Sequence, residues 1–185
     1  MERFSGSTAV ITGAGSGIGE ATAKRLAAEG ARLLLVGRTR SKLEKVAEEI
    51  NGQYGDSCAD VYSADVTKEE EVKGLAQKVK SSFDNLHVLI NNAGGSTHSS
   101  VFETSAADWD FVQEVNLKSV FLVSRALGEL MKETASKNSG ERQNAAIVNT
   151  ASLSAHQAGA KIPHYSAAKA GVVSLTKSLA LDLAP

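Results

Sequence analysis

A single cysteine, Cys58, stands in this chain, so no internal disulfide framework holds it together, the usual situation in a reducing compartment. Charge of either sign is not in excess. The net charge is −1, which points away from nucleic acid and anionic membrane as partners. Long hydrophobic runs are missing too. The N-terminal Met1-Glu2-Arg3-Phe4-Ser5-Gly6 leads only into Ala9-Val10-Ile11, too short for the core of a signal peptide. No apolar stretch is long enough to span a bilayer. No linker, internal repeat or low-complexity segment interrupts the chain, and the four histidines show no metal-ligand spacing, so no metal is expected. These absences leave a soluble cytoplasmic protein as the expectation.

What is present is ordinary globular material: 185 residues, 42% hydrophobic and 22% charged, enough for a single domain over 1–185 with a real core. Short β-type runs alternate with helical ones. Strands are expected at Thr8–Thr12, Arg32–Val36, Cys58–Ala64, Leu86–Ile90 and Ala145–Asn149. The second is nearly all apolar, as a strand buried on both faces should be. Helices are expected at Glu20–Ala28, Lys42–Ile50, Thr67–Val79, Ala106–Lys132 (as one helix or two) and His164–Leu183. Leu43, Val46, Ala47 and Ile50 recur at one-face spacing, and Thr67 with Glu70 reads as a capping box. The polar stretch Lys137–Asn144 reads as an exposed loop, and Trp109, Phe111, Val115 and Leu122 read as helix packing. The alternation predicts an α/β fold: a Rossmann-type, doubly wound parallel sheet in the order 3-2-1-4-5.

Thr12-Gly13-Ala14-Gly15-Ser16-Gly17-Ile18-Gly19 lies where the first strand meets the first helix. Glycines there let the backbone turn sharply and approach a pyrophosphate, and the helix start offers free N–H groups. The spacing is T-G-x-x-x-G-I-G, with Ile18 where the common G-x-G-x-x-G has its last glycine. An NAD binder places an acidic residue at the end of the second strand. Here that end reads Gly37-Arg38-Thr39-Arg40, and the Arg38 guanidinium suits a 2′-phosphate, so NADP(H) is expected over NAD(H). Asp65-Val66 follows the third strand. Two roles fit Asp65: accepting from an adenine amino group, or starting the next helix. Asn91-Asn92-Ala93-Gly94 ends the fourth strand, on the side where ligands of such sheets bind; the two amides are equally suited to tying loop backbones together.

Tyr165 and Lys169 are four apart at the start of the last helix and share a face. A tyrosine ordinarily holds its proton to a pKa of about 10, and a nearby ammonium favours the phenolate. Such a pair can act as general acid for carbonyl reduction or general base for alcohol oxidation. Ser152, just past the fifth strand, can donate to the reacting oxygen.

Together Thr12-Gly13, Gly17-Ile18-Gly19, Asn91-Asn92-Ala93-Gly94, Asn116, Ser152 and Tyr165-Ser166-Ala167-Ala168-Lys169 resemble the short-chain dehydrogenase/reductase family over nearly the whole chain. The resemblance implies a hydride transfer between NADP(H) and a small carbonyl or alcohol substrate, with 3-oxoacyl-thioester reduction the most frequent assignment of such sequences. It makes Tyr165 the acid/base and Lys169 the ligand of the nicotinamide ribose. Ser152 would polarise the carbonyl, and Asn116 would hold a water relaying protons to Lys169. A homodimer or homotetramer built on the long helix and the last one is implied as well. The family pattern continues past the last helix through a sixth strand, a Pro-Gly turn, a substrate-covering segment and a seventh strand. The sequence stops at Pro185, and its only other proline is Pro163. The fifth strand is therefore expected at a sheet edge, and the alternative reading is a nucleotide-binding fragment with weak or no turnover. Beside this pattern, His98, His156 and His164 are expected near the pocket mouth and Cys58 in the core.

Overall fold

In the computed structural model, residues 2–137 and 145–183 are described; most of the expected loop at 137–144 lies outside them. Five parallel strands form one sheet in the order β3-β2-β1-β4-β5, the expected one. They are β1 (Thr8–Thr12), β2 (Arg32–Gly37), β3 (Ala59–Ser63), β4 (Val88–Asn91) and β5 (Ala146–Asn149). The helices are α1 (Gly17–Ala28), α2 (Arg40–Tyr54), α3 (Glu69–Ser82), α4 (Ala106–Gln113), α5 (Ser119–Lys137) and α6 (Pro163–Leu183). β1 is central: Val10 pairs with Leu34 of β2 on one side and Leu89 of β4 on the other.

The run Leu33–Val36 is wholly buried because the sheet is covered on both faces. On one face Val10, Leu34 and Leu89 pack with α3 and α5 through Leu75, Val79, Val123 and Leu127. On the other Ile11, Leu33 and Leu35 pack with α1 and α2 through Ala23, Leu26, Leu43 and Ile50. Alternate residues of each strand serve opposite faces, as the two-residue strand period requires.

Local chemistry moves several boundaries. The helix expected from Glu20 begins at Gly17, inside the glycine turn. The capping box at Thr67 does not form. Helix α3 starts at Glu69 with Lys68 at the cap position, which leaves Thr67 one residue too early to accept from the helix amides. Its hydroxyl donates to Asp65 Oδ1 (2.8 Å), and Glu71 accepts from the Asp65 amide (2.7 Å). The long helical stretch divides at Glu114–Lys118, one π-helical turn around Asn116; such bulges mark functional sites in many helices. Val115 and Leu122 are buried as expected, but Trp109 and Phe111 are half exposed and contribute no core. Cys58 is half-buried, its thiol donates to Ala31 O at 3.4 Å, and burial pushes its pKa up. Among the described residues β5 pairs with β4 alone, and Val148 on it is 49% exposed. No described helix is long and apolar enough to cross a membrane.

Candidate active site

All five strands are parallel, so their C-terminal ends share one edge of the sheet, and the glycine turn, the loop at 92–94 and the segment carrying Ser152 follow three of them. The first component is the glycine turn. Gly13 (φ +66°) and Gly17 (φ +59°) hold left-handed backbone that costs an ordinary residue about 1–2 kcal/mol. Thr12 locks the turn to β4: its hydroxyl donates to Ile90 O and accepts from the Asn92 and Ala93 amides, both at 3.0 Å. Asn92 returns the contact, its side-chain amide donating to Thr12 O (3.2 Å) and Gly13 O (3.3 Å). Of the two roles read for Asn92, the structural tie is the one its side chain performs. Gly19 permits the same closeness, since a Cβ there would lie 2.3 Å from Gly13 O.

Beside this turn runs a cavity of about 200 Å³, lined among others by Gly13, Gly15, Ser16, Arg38, Asp65, Val66, Ala93 and Gly94. Gly17, Ile18, Gly19 and Asn92 do not line it. Ile18 is 68% exposed, and a Cβ on Gly17 would meet no atom within 4 Å. That open approach to bare backbone at a helix start fits a phosphate cradle, and a methyl group would fill it. Asp65 serves the helix start: Oδ1 accepts from the Thr67 amide (3.0 Å) and hydroxyl. Burial pushes the Asp65 carboxyl up. The Thr67 hydrogen bonds and the charges of Arg38 and Lys68 outweigh this and hold it below the usual carboxylate range.

The second component joins β5 to α6. Lys169, only 3% exposed, donates from Nζ to Thr150 O at 2.7 Å. This bond draws α6, which carries Tyr165, against the segment carrying Ser152. Nζ also lies 5.6 Å from the centre of the Tyr165 ring. Burial lowers the Lys169 pKa, because an ammonium loses its water there. Asn116 and Lys169 meet at Gly94: a Cβ on that glycine would be 2.7 Å from Asn116 Oδ1 and 3.8 Å from Lys169 Nζ. Asn116 is fully buried, and its amide group donates to Gly95 O (2.6 Å) and Val112 O (2.9 Å). Both donors are thus spent bracing the β4 loop against the π turn. A water relay at Asn116 would have to use Oδ1 or the main-chain carbonyl.

Three partners in this region escaped the sequence reading. Ser154 donates to Ser152 Oγ from its amide (3.2 Å) and its hydroxyl (2.9 Å); the S-x-S spacing is the only signal in sequence, and it is common. Thr97 Oγ1 and His164 Nε2 are 2.7 Å apart, and Gln113 donates to His164 O at 2.9 Å. His164 is fully buried, not at a pocket mouth, and pins the loop after β4 to the start of α6. His98 and His156 are exposed. No group of three or more His, Cys, Asp or Glu placed to hold a metal occurs among the described residues.

A central parallel sheet with a glycine turn after β1 and a Ser, Tyr and Lys at the far strand ends defines a dinucleotide-binding architecture. The family model for short chain dehydrogenase matches residues 7–185, and the chain belongs to that family. It is 36% identical over 176 residues to an uncharacterized oxidoreductase of Staphylococcus aureus, covering 95% of this chain and 71% of that protein. Among solved structures it is similar to a short chain dehydrogenase/reductase from Burkholderia phymatum in complex with NAD. The TM-score is 0.87 and the identity 34%, over 98% of this chain and 62% of that one, so this chain spans less than two thirds of that neighbour. A Beutenbergia cavernae structure with NADP bound at low occupancy is 35% identical with a TM-score of 0.84, over 96% of this chain and 67% of that one.

Proposed function

We propose that this protein is an oxidoreductase that transfers a hydride between NADP(H) and a small carbonyl or alcohol substrate. The observation that carries the reading is the Lys169–Thr150 hydrogen bond. It ties Lys169, one helical turn past Tyr165 on α6, to Thr150, two residues before Ser152, which supports reading the three as one reacting centre. When bound, the nicotinamide cofactor supplies or accepts the hydride. Gly13, Gly15, Ser16, Gly17 and Gly19 form or shape the pyrophosphate side. Asp65, Val66, Ala93 and Gly94 face the adenosine and ribose, and Lys169 the nicotinamide ribose.

Ser152 donates a hydrogen bond to the substrate oxygen. Its own Oγ accepts from Ser154, which leaves the Ser152 proton to point outward. Tyr165 gives its proton to that oxygen in reduction and takes it back in oxidation. The Lys169 ammonium stands 5.6 Å from the centre of the Tyr165 ring. Asn116 keeps the loop at Gly94 and Gly95 in place around both. Arg38 faces the adenosine ribose with no acidic residue at the end of β2, which favours a 2′-phosphate over a bare 2′-hydroxyl. The homodimer or homotetramer interface lies on the long helical stretch and α6, read out by light scattering; the half-exposed Phe111 and Phe121 on that stretch support it.

The test is fluorescence titration with NADPH and NADH, followed by NADPH oxidation with a carbonyl panel that includes acetoacetyl-CoA. Tyr165→Phe should keep cofactor affinity and lower turnover about 10²–10⁴-fold. Equal affinity for the two cofactors would sink the NADP(H) preference, and failure to bind either would sink the reading as a whole.

A further inference from the structure

We propose that Lys42 is a second cation of the 2′-phosphate site, so that selection of a 2′-phosphorylated adenosine rests on Arg38 and Lys42 together. The inference rests on the NADP(H) reading and extends it to a residue that no family motif in this sequence marks. Lys42 stands in the first turn of α2 and lines the same cavity as Arg38, Ser16 and Gly15. Its stem starts close beside the glycine turn: a Cβ on Gly15, had it one, would lie 3.0 Å from Lys42 Cβ. The base of this side chain therefore has a fixed place relative to the phosphate loop, although its ammonium reaches solvent.

The charges around it are distributed unevenly. Arg40 sits between the two cations in sequence but is engaged by Glu44 at 2.7 Å. Lys24, on the facing helix, is engaged by Glu20 (2.7 Å) and Glu49 (2.6 Å). Arg38 and Lys42 form no ion pair with a carboxylate among the described residues. The first turn of α2 holds no acidic residue, in contrast to α3, which begins Glu69-Glu70-Glu71. The one carboxylate lining the cavity, Asp65, is occupied by Thr67 and already feels the charge of Arg38.

A phosphate monoester carries close to two negative charges at neutral pH. One guanidinium matches its geometry but balances about half of that charge. A lysine acting as a point charge supplies the remainder without competing for the fork of the arginine. Two unpaired cations from adjacent turns, against a wall with a single engaged carboxylate, are the arrangement such a dianion requires. A bare ribose hydroxyl would leave both cations without a partner.

The experiment uses the full chain and two probes, adenosine 2′,5′-bisphosphate and 5′-AMP, titrated calorimetrically at low and moderate salt. Lys42→Gln should weaken the bisphosphate about five- to tenfold, the size of one exposed charge-assisted contact, and leave 5′-AMP within about twofold. Lys42→Arg should restore most of the loss. Lys45→Gln, the next cation on the same helix and outside the cavity, should change neither nucleotide by more than about twofold. The bisphosphate affinity of Lys42→Gln should also fall less steeply with salt. Equal losses for both nucleotides, or equal effects of Lys42→Gln and Lys45→Gln, would overturn the assignment. A wild-type chain that binds the two nucleotides alike would overturn the NADP(H) reading and this inference with it. A chain that prefers the bisphosphate but ignores Lys42→Gln would overturn the inference alone.

Discussion

Two alanine substitutions in the glycine turn should fail for opposite reasons. At Gly19 a Cβ would sit 2.3 Å from Gly13 O, 2.7 Å from Asn92 Nδ2 and 2.8 Å from Gly13 C. Two of these atoms are backbone and cannot swing away, so the turn must shift. That shift opens the Asn92 bonds to Thr12 O and Gly13 O. Overpacking of this kind costs about 1–3 kcal/mol, and each lost hydrogen bond about 1 kcal/mol. Gly19→Ala should therefore lose about 3–5 kcal/mol. In a chain of this size that lowers the melting temperature by roughly 6–20 °C. At Gly17 a Cβ meets nothing within 4 Å, and the charge against it is only the left-handed backbone at φ +59°, about 1–2 kcal/mol. Its methyl group stands where the pyrophosphate approaches. Displacing one charge-assisted contact, worth about 1.5–3 kcal/mol, should weaken NADPH roughly ten- to hundredfold. Thermal melts followed by circular dichroism and NADPH fluorescence titrations measure both quantities on both variants. If Gly17→Ala melts lower than Gly19→Ala and still binds NADPH like the wild type, the division of labour within the turn is wrong.

Three further outcomes follow from the buried polar groups. Asn91 donates to Ser124 Oγ (3.0 Å) and Asn149 Oδ1 (2.9 Å) from a 3%-exposed position. Asn91→Ala should cost about 2–3 kcal/mol in urea unfolding with an unchanged slope, since it strips donors from two partners at once. Burial lowers the Lys169 pKa from the usual 10.5, so between the two values the unfolded chain binds more protons than the folded one. Stability from this residue rises with pH across that window and is lowest where the buried ammonium is fully charged. Lys169→Met should flatten the rise, and a slope unchanged by the substitution would assign it elsewhere. Glu29 is held at about 2, against a usual 4.5, by hydrogen bonds from Arg3 and Arg25 and by their charges. Its contribution is complete above about pH 4.5 and is lost as pH falls toward 2. The melting-temperature gap between wild type and Glu29→Gln should stay constant near neutrality and close in acid; a gap independent of pH would show that the ion pairs to Glu29 contribute nothing.

Strand order, layer count and the place of the crevice were legible in the sequence because they follow from local rules. Period and length separate buried strands from amphipathic helices, and right-handed crossovers leave few ways to order five parallel strands. The glycine turn and the Tyr165–Lys169 spacing were legible for the same reason: each is a short-range pattern whose geometry is set within one turn. The capping box at Thr67 failed because Asp65 Oδ1 accepts from both the Thr67 amide and its hydroxyl, and the helix begins two residues later, with Lys68 at the cap position. Trp109 and Phe111 failed because apolar residues in a helical pattern do not reveal which face meets another layer.

What the sequence by itself determined is the kind of sheet, the cradle after β1 and the identity of the residues that meet at its C-terminal edge. Only the tertiary structure decided how they are held. Asn92 turns back to the glycine turn, Asn116 spends its amide on Gly95 and Val112, and His164 is buried against Thr97. Lys42 joins Arg38 in one cavity. Each of these contacts except Asn116–Val112 joins segments far apart in the chain or brings two turns to one wall. No spacing rule encodes them, because a side chain chooses its partner only after the layers have packed and removed water as the alternative.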